Sequence, residues 1–181
     1  MKALNQLEWS RRLFPKNVTE SWHDMKIQFA FTFHPSFYSL DDGIGVDPGK
    51  NWGIGIAQTG YLTVCWGTFP KMRKDFEYLN YIRSFIIEWF PEIPAKICMI
   101  EGPSYGSLFK QPMLEDVRAG FMLGFKTIGK LVDYVPPQSA RKQVFGNGRI
   151  KASEMWLGIN PNAADAGALA LYAGGYKHEE E

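Results

Sequence analysis

A chain of 181 residues with 45% hydrophobic and 15% aromatic residues is long and apolar enough for one folded domain with a sizeable core, which excludes a disordered or low-complexity protein. Its 20 Lys+Arg against 19 Asp+Glu leave a formal charge of +1, so charge alone advertises no nucleic-acid partner; a basic face offset by an acidic cluster and the Glu179-Glu180-Glu181 tail remains open. No apolar run approaches membrane-spanning length and the N-terminus lacks a secretion signal's apolar core, so no membrane partner is expected.

Leu4, Leu7, Trp9 and Leu13 predict a short helix that stops at Pro15, and Asn17 to Asp24 reads as a polar connector. Met25, Ile27, Phe29, Phe31 and Phe33 alternate strictly, which predicts an apolar-faced strand that either extends the main sheet or docks on a second subunit. Residues 1–40 therefore read as an N-terminal extension, residues 41–176 as the main domain and residues 177–181 as an acidic tail. Gly43 to Asp47 is a short buried strand that ends on one acid, because Pro48-Gly49 forces a turn. Ile54 to Ala57 and Tyr61 to Thr68 complete an antiparallel meander.

Asp75 to Phe90 follows with apolar residues at helical spacing. Lys96 to Ile100 is a fourth strand, and it also runs into an acid, Glu101, before Gly-Pro. A second helix spans 112 to 128, with Ala119, Gly120 and Gly124 offering a small-residue face either to a second subunit or to the sheet. Leu131 to Val135 is the fifth strand, and a helix capped by Ser139 follows to Phe145. Further helices are predicted over Ile150 to Leu157 and from Pro161 to about Tyr172. Alternating strands and helices in the second half require parallel pairing, so the expected fold is α/β, a five-stranded mixed sheet flanked by helices. Cys65 and Cys98 lie in apolar strand runs, which suggests buried free thiols in a reducing compartment. His23, His34 and His178 lack zinc-ligand spacing.

Asp47, Glu101 and Asp165 occupy special places: two strand ends and the start of the last helix. If the two strands are neighbours, the three carboxylates cluster, and a cluster of like charges calls for a cation. Oxygen ligands of this kind suit Mg²⁺, with Mn²⁺ as a substitute.

Four blocks in order resemble the RuvC-type Holliday-junction resolvases of the RNase H-like superfamily. Gly45-Val46-Asp47-Pro48-Gly49 with Gly53-Ile54-Gly55 is similar to the first strand and turn, and Ile100-Glu101 to the acid-ending fourth strand. Val135-Pro136-Pro137-Gln138-Ser139-Ala140-Arg141-Lys142 through Gly146-Asn147-Gly148-Arg149-Ile150-Lys151 resembles the Pro-Pro, Val-Lys, Gly-x-Gly-x-x-Lys block. Ala163-Ala164-Asp165-Ala166-Gly167-Ala168-Leu169-Ala170 resembles the final Ala-Ala-Asp-Ala-Leu-Ala motif. The resemblance implies Asp47, Glu101 and Asp165 as catalytic metal ligands, and a homodimer that cuts two strands of a four-way DNA junction. Where the family has a further Asp, position 162 holds Asn162, whose carbonyl can ligate a metal but carries no charge. Tyr105 stands one residue beyond the family's junction-wedging aromatic; it either stacks on an opened base or covers the sheet edge. Lys142 and Lys151 match family lysines, and with Arg149 they are candidate DNA contacts; Lys151 is also a candidate for stabilising charge on the scissile phosphate.

The expected function is a metal-dependent endonuclease that resolves four-way junctions, acting in the cytoplasm or at the nucleoid. The rivals are a sibling RNase H-like nuclease acting on flaps, forks or hybrids, and a catalytically weakened junction-binding protein, which Asn162 keeps open. An actin-like ATPase half is disfavoured, since one short domain cannot enclose a nucleotide.

Overall fold

The computed structural model describes residues 17–33, 37–102, 112–156 and 159–178. The helix expected over Leu4 to Leu13, Tyr105 and the three terminal glutamates lie outside them.

Among the described residues, one sheet holds all seven strands, in the order β1-β2-β5-β4-β3-β6-β7. The expected meander is β3 (Gly43–Asp47), β4 (Asn51–Gln58) and β5 (Tyr61–Thr68), and β6 (Ile97–Glu101) and β7 (Leu131–Val135) join it in parallel. These are the five strands of the mixed sheet read from the sequence. A hairpin of β1 (Asn17–Trp22) and β2 (Met25–Phe33) lengthens the sheet, because β2 pairs antiparallel with β5 along Ile27 to Phe33. The apolar strand thus extends the main sheet.

Asn17 to Trp22 is a strand, not a connector. Its backbone is held by the ladder to β2, and a strand at the sheet edge needs little apolar pattern of its own; Thr19, Glu20 and Ser21 are exposed, and Trp22 turns into the core, against Tyr81 and Phe85. His23 takes a φ of 48° to close the tight hairpin.

Helices cover both faces. On one, α1 (Phe76–Trp89) and α2 (Pro112–Thr127) bury Ile82, Phe85, Phe121 and Phe125 against Ile44, Val46, Ile54, Cys98 and Ile100. Gly120 and Gly124 lie against Leu79, Ile82 and Ile86, where an added Cβ would come within 2.7–3.0 Å of α1 atoms. The small-residue face of α2 is therefore taken up by α1 inside the chain. On the other face lie α3 (Pro137–Phe145), α4 (Ala152–Met155) and α5 (Pro161–Ala173). Pro136, not Ser139, is the N-cap of α3, as suits a helix with proline at its first position. The helix expected over Ile150 to Leu157 shrinks to one turn, since Trp156 leaves helical geometry at φ −120°.

The packing of α5 decides where the functional residues meet. Gly43, Gly45, Gly53 and Gly55 form a bare track on β3 and β4, with Gly45 and Gly55 paired directly. A Cβ at Gly45 would stand 2.2 Å from the Ala166 carbonyl and the Ala170 nitrogen, and one at Gly53 would stand 2.2 Å from the Asn162 carbonyl. Ala163, Ala164, Ala166, Gly167, Ala168 and Ala170 keep the helix side of the contact equally thin. Backbone thus lies on backbone, and α5 has no room to slide.

Candidate metal centre

Asp47 ends β3 because Pro48-Gly49 cannot continue the strand. β3 and β6 run parallel with Val46 opposite Ile100, so Asp47 and Glu101 stand on the next rung, at the same ends of neighbouring strands. Side chains alternate along a strand: Val46 and Ile100 turn toward α1 and α2, which turns Asp47 and Glu101 toward α5. Asp165 lies in the second turn of α5. The three carboxylates come together, each half-buried and offering an oxygen within 4.8 Å of the others'.

Burial first, then the charges of Glu101 and Asp165, push the Asp47 carboxyl well above its ordinary value. Burial and Asp165 raise Glu101 likewise. Two arginines oppose both shifts. Arg141 of α3 donates from Nη2 to Asp165 Oδ1 at 2.8 Å and from Nε to the same oxygen at 3.1 Å. Arg118 of α2 donates from Nε to the Glu101 backbone carbonyl at 3.3 Å. Neither arginine was given a role from the sequence. Arg141 sits inside a motif block beside Lys142, so the need of an acidic cluster for a countercharge could have marked it; Arg118 has no local signal, because only the α2–β6 packing brings it there.

The donor set fits a hard divalent cation. It consists of carboxylate oxygens, it carries like charge at short range, and two of its members resist ionisation in the bare protein. Asn162 lies one turn before Asp165 on α5, and its side-chain amide donates to the Asn51 carbonyl at the start of β4. That bond ties the head of α5 to the start of β4.

Of the expected DNA contacts, Lys142 is exposed on α3, next to Arg141 but turned to solvent. Arg149 and Lys151 are exposed in the segment between α3 and α4. Gly148 folds this segment back on α3, where an added Cβ would lie 3.5 Å from Lys142 Cβ. Lys142 thus stands on the helix whose Arg141 pairs with Asp165. Tyr105 lies outside the described residues.

No family model matches the sequence, and no curated protein matches it. Solved structures do. The structure of Thermus thermophilus RuvC superposes with a TM-score of 0.58 at 16% identity, covering 72% of this chain and 92% of that one. T. thermophilus RuvC in complex with a Holliday junction substrate gives a TM-score of 0.56 at 14% identity, covering 71% of this chain and 88% of that one. The chain shares the fold of RuvC, an RNase H-like mixed sheet flanked by helices.

Proposed function

We propose that this protein is a metal-dependent endonuclease that resolves four-way DNA junctions as a homodimer, acting in the cytoplasm or at the nucleoid. The carboxylate cluster of Asp47, Glu101 and Asp165 on a RuvC fold carries the reading. Mg²⁺ or Mn²⁺ would be held by these three residues, with Asn162 as a neutral fourth ligand. When bound, the metal would supply an activated water and charge stabilisation at the scissile phosphate. The chain's own residues do the rest. Asp47 and Glu101 are fixed by strand ends before any ligand arrives, which spares the site an ordering cost. Arg141 orients Asp165 and offsets its charge. Lys142, Arg149 and Lys151 would hold the DNA backbone beside the acids, with Lys151 nearest in role to the scissile phosphate; Tyr105 would stack on an opened base. The homodimer would form through the outer surface of α2 and the adjoining face of β7, where Leu123 and Tyr134 are exposed.

A second reading is a junction-binding protein with weakened chemistry. Asn162 favours it, since one charge is missing from the ligand set, and so does the Arg141 guanidinium already engaged on Asp165.

The test is gel cleavage of a labelled four-way junction beside linear duplex, flap, fork and RNA–DNA hybrid, in Mg²⁺ or Mn²⁺. Paired symmetric nicks on the junction establish the resolvase; preference for flaps or hybrids moves the assignment to a sibling nuclease. Junction binding without cleavage, by both this chain and Asn162→Asp, leaves only the binding protein. A large gain with Asn162→Asp shows that the missing carboxylate limits the reaction.

A further inference from the structure

The connector between β5 and α1 carries Lys71, Arg73 and Lys74, all exposed. Phe76 follows at the first position of α1 with 57% of its surface open, while Tyr78, Ile82, Phe85 and Ile86 form the buried side of that helix. Lys74 Nζ lies 5.6 Å from the centre of the Phe76 ring. Among the described residues no carboxylate pairs with any of the three cations. Two acids share the stretch. Asp75 is exposed, and the Glu77 carboxylate accepts the Arg73 backbone N–H at 3.1 Å, so it is committed to holding the connector.

This basic, aromatic stretch stands on the same rim as the acids. The Phe69 N–H donates to the Lys50 carbonyl at 2.9 Å, and the next carbonyl, that of Asn51, accepts the Asn162 amide at the head of α5. The register fixes the separation. Asp47 pairs with Gly53, Gly53 pairs with Trp66, and β5 ends at Thr68, two residues further on. Two strand spacings and two residue rises place Thr68 about 12 Å from Asp47. That is the span of roughly three to four base steps. Lys50, also exposed, lies in the turn between them. In the sheet order, β5 is on one side of the acid-bearing strands β3 and β6, and β7, which leads into α3 with its basic residues, is on the other.

We infer that Lys71, Arg73, Lys74 and Phe76 form a second DNA contact, which grips a strand a few nucleotides from the scissile phosphate. The inference rests on the nuclease reading and deepens it. A strand drawn over three carboxylates is repelled there, and cations on both flanks offset that repulsion. The lysines and arginine meet phosphates, and the open Phe76 ring, with Lys74 beside it, offers a stacking face to an unpaired base.

The experiment is fluorescence polarisation of a labelled four-way junction across a salt series in EDTA. It compares the full chain with the triple variant Lys71→Gln, Arg73→Gln, Lys74→Gln and with Phe76→Ala. The triple variant is expected to bind about 10–100-fold more weakly at moderate salt, with a log–log salt slope flatter by about 3. Phe76→Ala is expected to lose about 10-fold with an unchanged slope. A triple variant that keeps both affinity and slope overturns the inference while the nuclease reading stands. A wild-type chain that binds no branched DNA overturns both. If the triple variant melts lower than wild type, the single variants Lys71→Gln and Arg73→Gln decide: a slope flatter by about 1 in each supports the contact, and an unchanged slope in both overturns it.

Discussion

Asp47 pays for its position in electrostatics, and that gives it a testable signature. Its raised proton affinity means the folded chain binds protons more tightly there than the unfolded chain does. Its contribution to stability is therefore fully present below the ordinary carboxylate value of 3.8 and is lost as pH climbs through the raised value. Glu101 acts in the same direction. Asp47→Asn should raise the melting temperature of the metal-free protein near neutral pH and flatten its decline with pH, as followed by circular dichroism. The same change should remove most of the Mg²⁺-induced rise in melting temperature and lower cleavage by about 10³-fold, equivalent to ~4 kcal/mol in barrier. Arg141 should show the opposite pattern. Its ion pair with Asp165 is only partly exposed, and Arg141→Ala should cost about 1 kcal/mol, or ~2–4 °C, without metal. Because the guanidinium competes for an Asp165 oxygen, the variant should bind Mg²⁺ more tightly in a thermal-shift titration.

At the level of elements, the glycine track under α5 is the device that sets the geometry. Asp165 reaches the strand-borne acids only because α5 lies directly on β3 and β4. Gly45→Ala would drive a Cβ into the Ala166 carbonyl and the Ala170 nitrogen, both backbone atoms that cannot swing aside. The expected cost is about 3 kcal/mol, read as a lowered denaturation midpoint. Cleavage should fall further than the folded fraction does, because any lift of the helix carries Asp165 with it. The motif glycines were legible in the sequence as a resemblance; their physical reason was not, because nothing in Gly45 or Gly55 names the helix that passes over them.

For the whole molecule, the open question is assembly. Gly120 and Gly124 are consumed by α1, so a subunit contact must use other residues. Tyr134 is 42% exposed on the outer strand of the sheet, on the face toward α2, and Leu123 is 39% exposed on that helix. Leu123→Glu combined with Tyr134→Glu should convert a dimer to a monomer in sedimentation velocity and turn paired nicks on a junction into uncoupled single nicks. A chain already monomeric at working concentration would remove this surface from the proposal.

The sequence by itself determined the strand ends that carry Asp47 and Glu101, the helix that carries Asp165, and the order of elements that forces parallel pairing. Those features rest on local chemistry: turn residues after an acid, apolar alternation, proline at a helix start. Tertiary structure alone decided that Asn17–Trp22 is a strand, since an edge strand is held by its neighbour's backbone and needs no pattern. It alone brought Arg141 and Arg118 to the acids, turned the small face of α2 inward, and tied the basic β5–α1 connector to the acid-bearing rim through the carbonyls of Lys50 and Asn51. Each of these is a contact between segments far apart in the chain, and no local spacing encodes which partner a distant segment will meet.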